Sequence, residues 1–101
     1  MTLLRVGELE LDLITRQARR GEGVLELKPR EFSLLEILTR HAGRIVTRKM
    51  LFEHLWHYQF DPGTNVIDVH IGRLRRQLDQ PDESRLLETR RGMGYLLHER
   101  H

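Results

Sequence analysis

The sequence predicts an α+β domain in which a small N-terminal antiparallel sheet precedes three helices and a terminal β-hairpin. Three observations carry this. Leu9, Leu11 and Leu13 alternate with Glu8, Glu10 and Asp12, the period of a strand with one buried face. From Pro29 to Leu78 the apolar residues recur at helical spacing in three blocks. Near the end, Arg90-Arg91-Gly92-Met93-Gly94 lies between two short apolar segments, as a hairpin turn does.

The N-terminal block runs from Leu4 to Leu27 and holds three or four strands, with Gln17 to Arg20 as one and Gly21 and Gly23 punctuating the last turn. The period changes at Pro29. Proline suits the first helical position, Glu31 sits near the positive end of the dipole, and Phe32, Leu34, Leu35, Ile37 and Leu38 make a core stripe that stops at Gly43. Thr47 is placed to cap a second helix carrying Leu51, Phe52, Leu55 and Trp56, which ends near Trp56 or His57. Asp61-Pro62-Gly63 forces a loop from His57 to Gly63, and Thr64 is a suitable cap for a third helix from Asn65 to Asp79. Gln80-Pro81-Asp82 stops that helix, and Leu86 to Thr89 and Tyr95 to His98 are the expected hairpin strands.

A chain of 101 residues makes one modest core, so a single domain over 1–101 is expected. The absence of cysteine excludes disulfides, thiolate metal sites and sulfur nucleophiles, and with no apolar run of membrane-spanning length a soluble, cytoplasmic protein is expected. No Gly-x-Ser-x-Gly or phosphate-binding glycine loop is present, which argues against an enzyme. His54 and His57 lie three apart but have no carboxylate in register, so a packing or solvated role outweighs metal binding; neither metal nor cofactor is expected. Seventeen Lys and Arg against fifteen Asp and Glu leave a net charge of only +2, but fifteen of the cations are arginine, whose planar fork suits phosphates and guanine edges.

The third helix carries the functional signal. At 100° per residue, Ile67, Ile71, Leu74 and Leu78 fall within an arc of roughly 60°, the core stripe. The opposite side gathers Asn65, Val69, Gly72, Arg73 and Arg76, with His70 and Arg75 on the flanks. Glycine in an exposed helix costs about 1 kcal/mol against alanine. Such a face suits a DNA groove: Gly72 permits close approach, Val69 can meet a thymine methyl, Arg73 or Asn65 can pair with base edges, and His70 and Arg75 face phosphates. Residue by residue the bland alternatives stand. Val69 alone reads as an ordinary exposed apolar residue, Asn65 as a first-turn polar residue, and Arg90 and Arg91 as charges guarding a sheet edge. Docking of a protein partner on the same helix is the alternative to DNA, and the shortage of aromatic anchors there weighs against it.

Asn65-Val-Ile-Asp-Val-His-Ile-Gly-Arg-Leu-Arg-Arg-Gln-Leu78 and Leu87-Glu-Thr-Arg-Arg-Gly-Met-Gly-Tyr-Leu96 closely resemble the effector domain of OmpR/PhoB-type response regulators. Lys28-Pro-Arg-Glu-Phe-Ser-Leu-Leu35 and Val46-Thr-Arg-Lys-Met-Leu51 resemble the same family, so the similarity spans nearly the whole chain. The resemblance implies a winged helix-turn-helix that binds direct-repeat promoter DNA as a head-to-tail dimer. It implies a receiver domain fused ahead of it, phosphorylated by a histidine kinase. No receiver lies in these residues, and the expectation is a domain cut from a longer regulator. The family pattern places Arg73 on bases in the major groove, with Asn65, Val69 and Gly72 on the groove face and His70 and Arg75 on phosphates. It places Arg91 of the hairpin, the wing, in the minor groove, with Thr89 and Tyr95 at nearby phosphates. The segment His57, Tyr58, Gln59, Phe60 and Asp61 corresponds to a loop that engages RNA polymerase. Gly72 and Asn65 stand where many relatives carry basic residues, and Lys28 where they carry a capping Ser or Thr.

Overall fold

The computed structural model describes residues 2–98. Four strands, β1 (Leu3–Val6), β2 (Leu9–Asp12), β3 (Gln17–Arg20) and β4 (Gly23–Leu25), form an antiparallel meander in that order. Leu9 and Leu11 turn inward from β2, opposite Arg20 and Ala18 of β3, so the period-two pattern becomes one buried face. Leu13 lies just past the strand, partly buried and still packed against the core. The Asp12 carboxylate accepts from the backbone N–H groups of Ile14 and Thr15 at 2.9 and 3.1 Å, and this side-chain turn ends the strand one residue before it.

Helix α1 (Pro29–Arg40) begins with proline at N1 and Glu31 in the first turn, and buries Phe32, Leu34, Leu35 and Leu38. It stops three residues short of the predicted Gly43: His41 caps it, its Nδ1 lying 2.9 Å from the Ile37 carbonyl. Gly43, at φ 83°, instead donates to the Leu97 carbonyl. That bond leads into a strand the sequence did not announce, β5 (Ile45–Val46).

The Thr47 side chain accepts from the Met50 N–H and caps α2 (Arg48–Leu51), as the sequence indicated. The chain then widens into a π-helical turn over Phe52–Trp56, closed by His57 in the left-handed conformation. Helix α3 (Val66–Leu78) starts one residue later than expected. Its cap position is Asn65, not Thr64, because the Thr64 carbonyl is drawn to the Arg48 guanidinium at 2.6 Å. Ile67, Ile71, Leu74 and Leu78 are each at most 2% exposed and pack with Phe32, Leu35 and Phe52 in one core.

The terminal hairpin, β6 (Leu87–Arg90) and β7 (Gly94–Leu97), is joined by β5 to make a second sheet of order β5-β7-β6. Both hairpin strands sit one residue closer to the turn than predicted. Gly94 takes a strand position opposite Arg90, leaving only Arg91 to Met93 as the turn.

Candidate nucleic-acid interface

The core stripe of α3 fixes which side of it faces out. Val69 is 43% exposed, and Asn65, Arg73 and Arg76 are exposed beside it, so the face found on the helical wheel is a real surface. Gly72 is part of it. A Cβ added there would meet only the Nη1 of Arg76, at 3.8 Å, an ordinary contact, so nothing inside the molecule requires the glycine. A residue that weakens its own helix without relieving any internal crowding fits close approach from outside.

One flank of α3 faces the hairpin. Arg75 donates to the Thr89 Oγ1 at 2.9 Å and to the Leu87 carbonyl at 3.3 Å, so two predicted phosphate-facing residues are bonded to each other. The pair fixes the hairpin against the helix, while the buried Arg75 Nε has no hydrogen-bond partner among the described residues. Tyr95, also expected near phosphate, is 4% exposed, and its hydroxyl donates to Asp68 of α3 at 2.5 Å. At the hairpin tip Arg91 and Gly92 are exposed, and Met93 is 57% exposed.

Arg48 ties these parts together, and sequence reasoning missed it. Its Nε donates to Asp61 at 3.0 Å and its Nη1 to Asp68 at 3.3 Å, while Nη2 holds the Thr64 carbonyl. The guanidinium therefore links the start of α2, the 57–64 loop and the first turn of α3. These residues and the hairpin line a cleft of about 380 Å³. The hydrogen bond from Arg48, then that from the Gly63 N–H, holds the Asp61 carboxyl below its ordinary range. The Asp61 hydrogen bond raises Arg48 in turn. Its position directly after the Thr47 cap was the available signal.

Burial first, then the Asp68 carboxylate, pushes the Tyr95 phenol up to about 12. The sign follows: the fold favours the protonated phenol, so this stabilisation is complete below the ordinary phenol value and is lost as pH climbs through the raised one. In an ultraviolet titration of the two tyrosines, one phenolate step should be delayed to about pH 12. Tyr95→Phe should remove that late step; its persistence in the variant would overturn the assignment to Tyr95.

On the other flank His70 packs against Trp56, ring centroids 5.8 Å apart, and its Nδ1 bonds to Glu31 of α1. Farther out, Phe52, Tyr58 and Phe60 form an aromatic stack from the core to the surface, with centroid spacings of 5.9 and 5.8 Å. Tyr58 is 42% and Phe60 61% exposed, and His57, Gln59 and Asp61 are exposed with them.

Residues 21–97 match the family described as "Transcriptional regulatory protein, C terminal". The chain is 43% identical over 99 residues to the transcriptional activator protein IrlR of Burkholderia pseudomallei, covering 98% of this chain and 43% of that protein. It is 38% identical over 96 residues to the response regulator MprA of Mycobacterium tuberculosis, covering 95% and 42%. The chain thus spans about two fifths of the length of these relatives. Among solved structures, the RstA DNA-binding domain of Klebsiella pneumoniae in complex with RstA box superposes with a TM-score of 0.86 at 32% identity, over 98% of this chain and 99% of that one. The DNA-binding domain of CpxR from E. coli gives 0.82 at 35%, over 97% of each chain. The response regulator DrrB of Thermotoga maritima, an OmpR/PhoB homologue, gives 0.78 at 31%, over 96% of this chain and 44% of that one. The chain belongs to the family of transcriptional regulatory protein C-terminal domains, with the winged helix-turn-helix fold of OmpR/PhoB-type response regulators.

Proposed function

We propose that this domain binds double-stranded promoter DNA sequence-specifically and acts as the effector of a two-component response regulator in the cytoplasm. It serves as a binding module, not an enzyme. The observation that carries this is the outward face of α3: exposed Asn65, Val69, Arg73 and Arg76 around a glycine that the fold itself does not need. Arg73 reads a base edge in the major groove and Val69 a thymine methyl, with Gly72 letting the helix backbone come close. Arg91 at the wing tip enters the adjacent minor groove, while the Arg75–Thr89 bond keeps helix and wing at fixed spacing as His70, Arg75 and Thr89 approach phosphates.

Two copies bind direct repeats head to tail. The exposed loop from His57 to Asp61 meets RNA polymerase, and a receiver domain in the longer protein takes the signal from a histidine kinase. No helix among the described residues is long and apolar enough to cross a membrane.

Selection of duplexes from a random pool tests the reading. Two similar half-sites in the same orientation are expected, with affinity falling steeply as salt rises. No enrichment, with flat salt dependence, would overturn it. On the selected site, Arg73→Ala should cost about 1–3 kcal/mol and relax the preference at one base pair. A uniform loss across all duplexes would make Arg73 a phosphate contact. Arg91→Ala should weaken binding most where A·T pairs flank the half-site. Equal loss beside G·C pairs would remove it from the minor groove.

A further inference from the structure

Glu31 was read from the sequence as a favourable charge at the start of α1, yet it is only 3% exposed. A carboxylate buried that deeply needs a donor. Among the described residues its hydrogen-bond partner is the Nδ1 of His70, which projects from the reading helix. Trp56 packs on the imidazole, and the Arg30 guanidinium lies 4.6 Å from the centre of the Trp56 ring, so the histidine ring is held by both the carboxylate and the indole. The 17% of the His70 side chain that stays exposed borders an open concavity of about 400 Å³, also lined by Lys28, Pro29, Arg30, Glu31 and Ser33.

We propose that Glu31 is a positioning residue for DNA binding: it holds the Nδ1 hydrogen of His70, so that a backbone phosphate seated at Nε2 is met by the imidazolium, and binding takes up a proton there. The proposal rests on the reading of α3 as the groove helix and gives the α1 flank of that helix its phosphate contact.

The argument is one of hydrogen inventory. A neutral imidazole has a single N–H, and the ionised Glu31 carboxylate, an acceptor only, claims it at Nδ1. Nε2 is then a bare acceptor, and a phosphate oxygen brings no hydrogen. The two repel unless the ring gains a proton. Once it does, the cation lies between two anions, the carboxylate behind and the phosphate in front, and both bonds become charge-assisted. The charged residues that share the concavity with the ring are Lys28, at the cap of α1, and Arg30 and Glu31 in its first turn, while the π turn contributes the uncharged Trp56. Lys28 and Arg30 oppose a third cation in the free protein, and an arriving phosphate cancels that opposition. The phosphate adds a second anion to the carboxylate, so binding strengthens the ring's hold on a proton.

Calorimetric titration of the whole chain with a duplex recovered from the random pool, in two buffers of different ionisation heat, counts the protons. The native chain should take up protons on binding, and its affinity should fall as pH rises. Glu31→Gln can still accept from Nδ1 but lacks the charge, so it should bind more weakly and take up markedly less; His70→Asn should take up almost none. Proton uptake equal to the native chain in either variant would overturn the proposal. Should a variant fail to fold, imidazole ¹⁵N shifts of His70 in the native chain decide the matter: an imidazolium in the complex is expected, and a neutral ring there would refute it. A chain that binds no duplex at all would instead sink the DNA reading on which the proposal rests.

Discussion

Gly94→Ala should unfold this domain readily, lowering stability by about 3–5 kcal/mol, because overpacking and backbone strain act together. Gly94 has φ +144°, and a Cβ there would lie 2.2 Å from the Val46 carbonyl oxygen and 2.9 Å from the Thr47 Cα. Both neighbours are backbone, so no rotamer change relieves the clash. β5 would have to leave β7, taking with it the Val46–Tyr95 pairing and the Thr47 cap of α2. Arg48 follows directly and holds the 57–64 loop to α3, so the damage reaches the first turn of that helix. Domains of this size are stable by about 5–15 kcal/mol, and the loss should lower the melting midpoint by about 15 °C or more. Gly92 supplies the control. It also has positive φ, +74°, but nothing lies within 4 Å of an added Cβ, so Gly92→Asn should cost about 1 kcal/mol. Thermal melts of the two variants side by side check this; equal midpoints would mean that β5 and β7 are not in such close contact.

The same residues show what the sequence could and could not disclose. Patterns repeated along one element were legible: the inward leucines of β2, the core stripe of α3 and the Thr47 cap came out as read. So did the existence of the terminal hairpin. What failed was set by partners distant in the chain. The two-residue strand Ile45–Val46 is too short to carry a period, and it exists because β7 offers it an edge. Thr64 had the right chemistry for a cap, but its carbonyl is held by Arg48, sixteen residues away. The outward face of α3 was legible because burial of one side of a helix dictates the other. The bonds that position it were not: Arg48–Asp68, Tyr95–Asp68 and His70–Glu31 join elements whose relative placement only the fold reveals.

Arg20 is the extreme case, and its replacement is the second change expected to be severe. Alternation along β3 turns it inward with Ala18, and its side chain is 1% exposed. Its guanidinium reaches Asp79, fifty-nine residues on, at 3.1 Å, and donates to the Leu78 carbonyl, to the Ser84 carbonyl and hydroxyl, and to Glu8. Asp79, its side chain 4% exposed, also accepts from the N–H groups of Leu86 and Leu87. The pair thus fastens the end of α3 to the N-terminal sheet and to the start of the terminal hairpin. Arg20→Met fills similar space but strands a buried carboxylate and two carbonyls, which should cost about 3–5 kcal/mol. Arg20→Lys keeps the charge but cannot fork to so many acceptors, so it should recover only part of the loss. Since Arg20 bonds to the end of α3 and not to its outward face, the effect should be on the fold first. Exchange of the Leu86 and Leu87 amide hydrogens should accelerate in Arg20→Met, and urea melts should show non-additivity between Arg20→Met and Asp79→Asn. Strictly additive losses would mean that each residue acts through its other partners, and that the sheet does not hold the helix end through this pair.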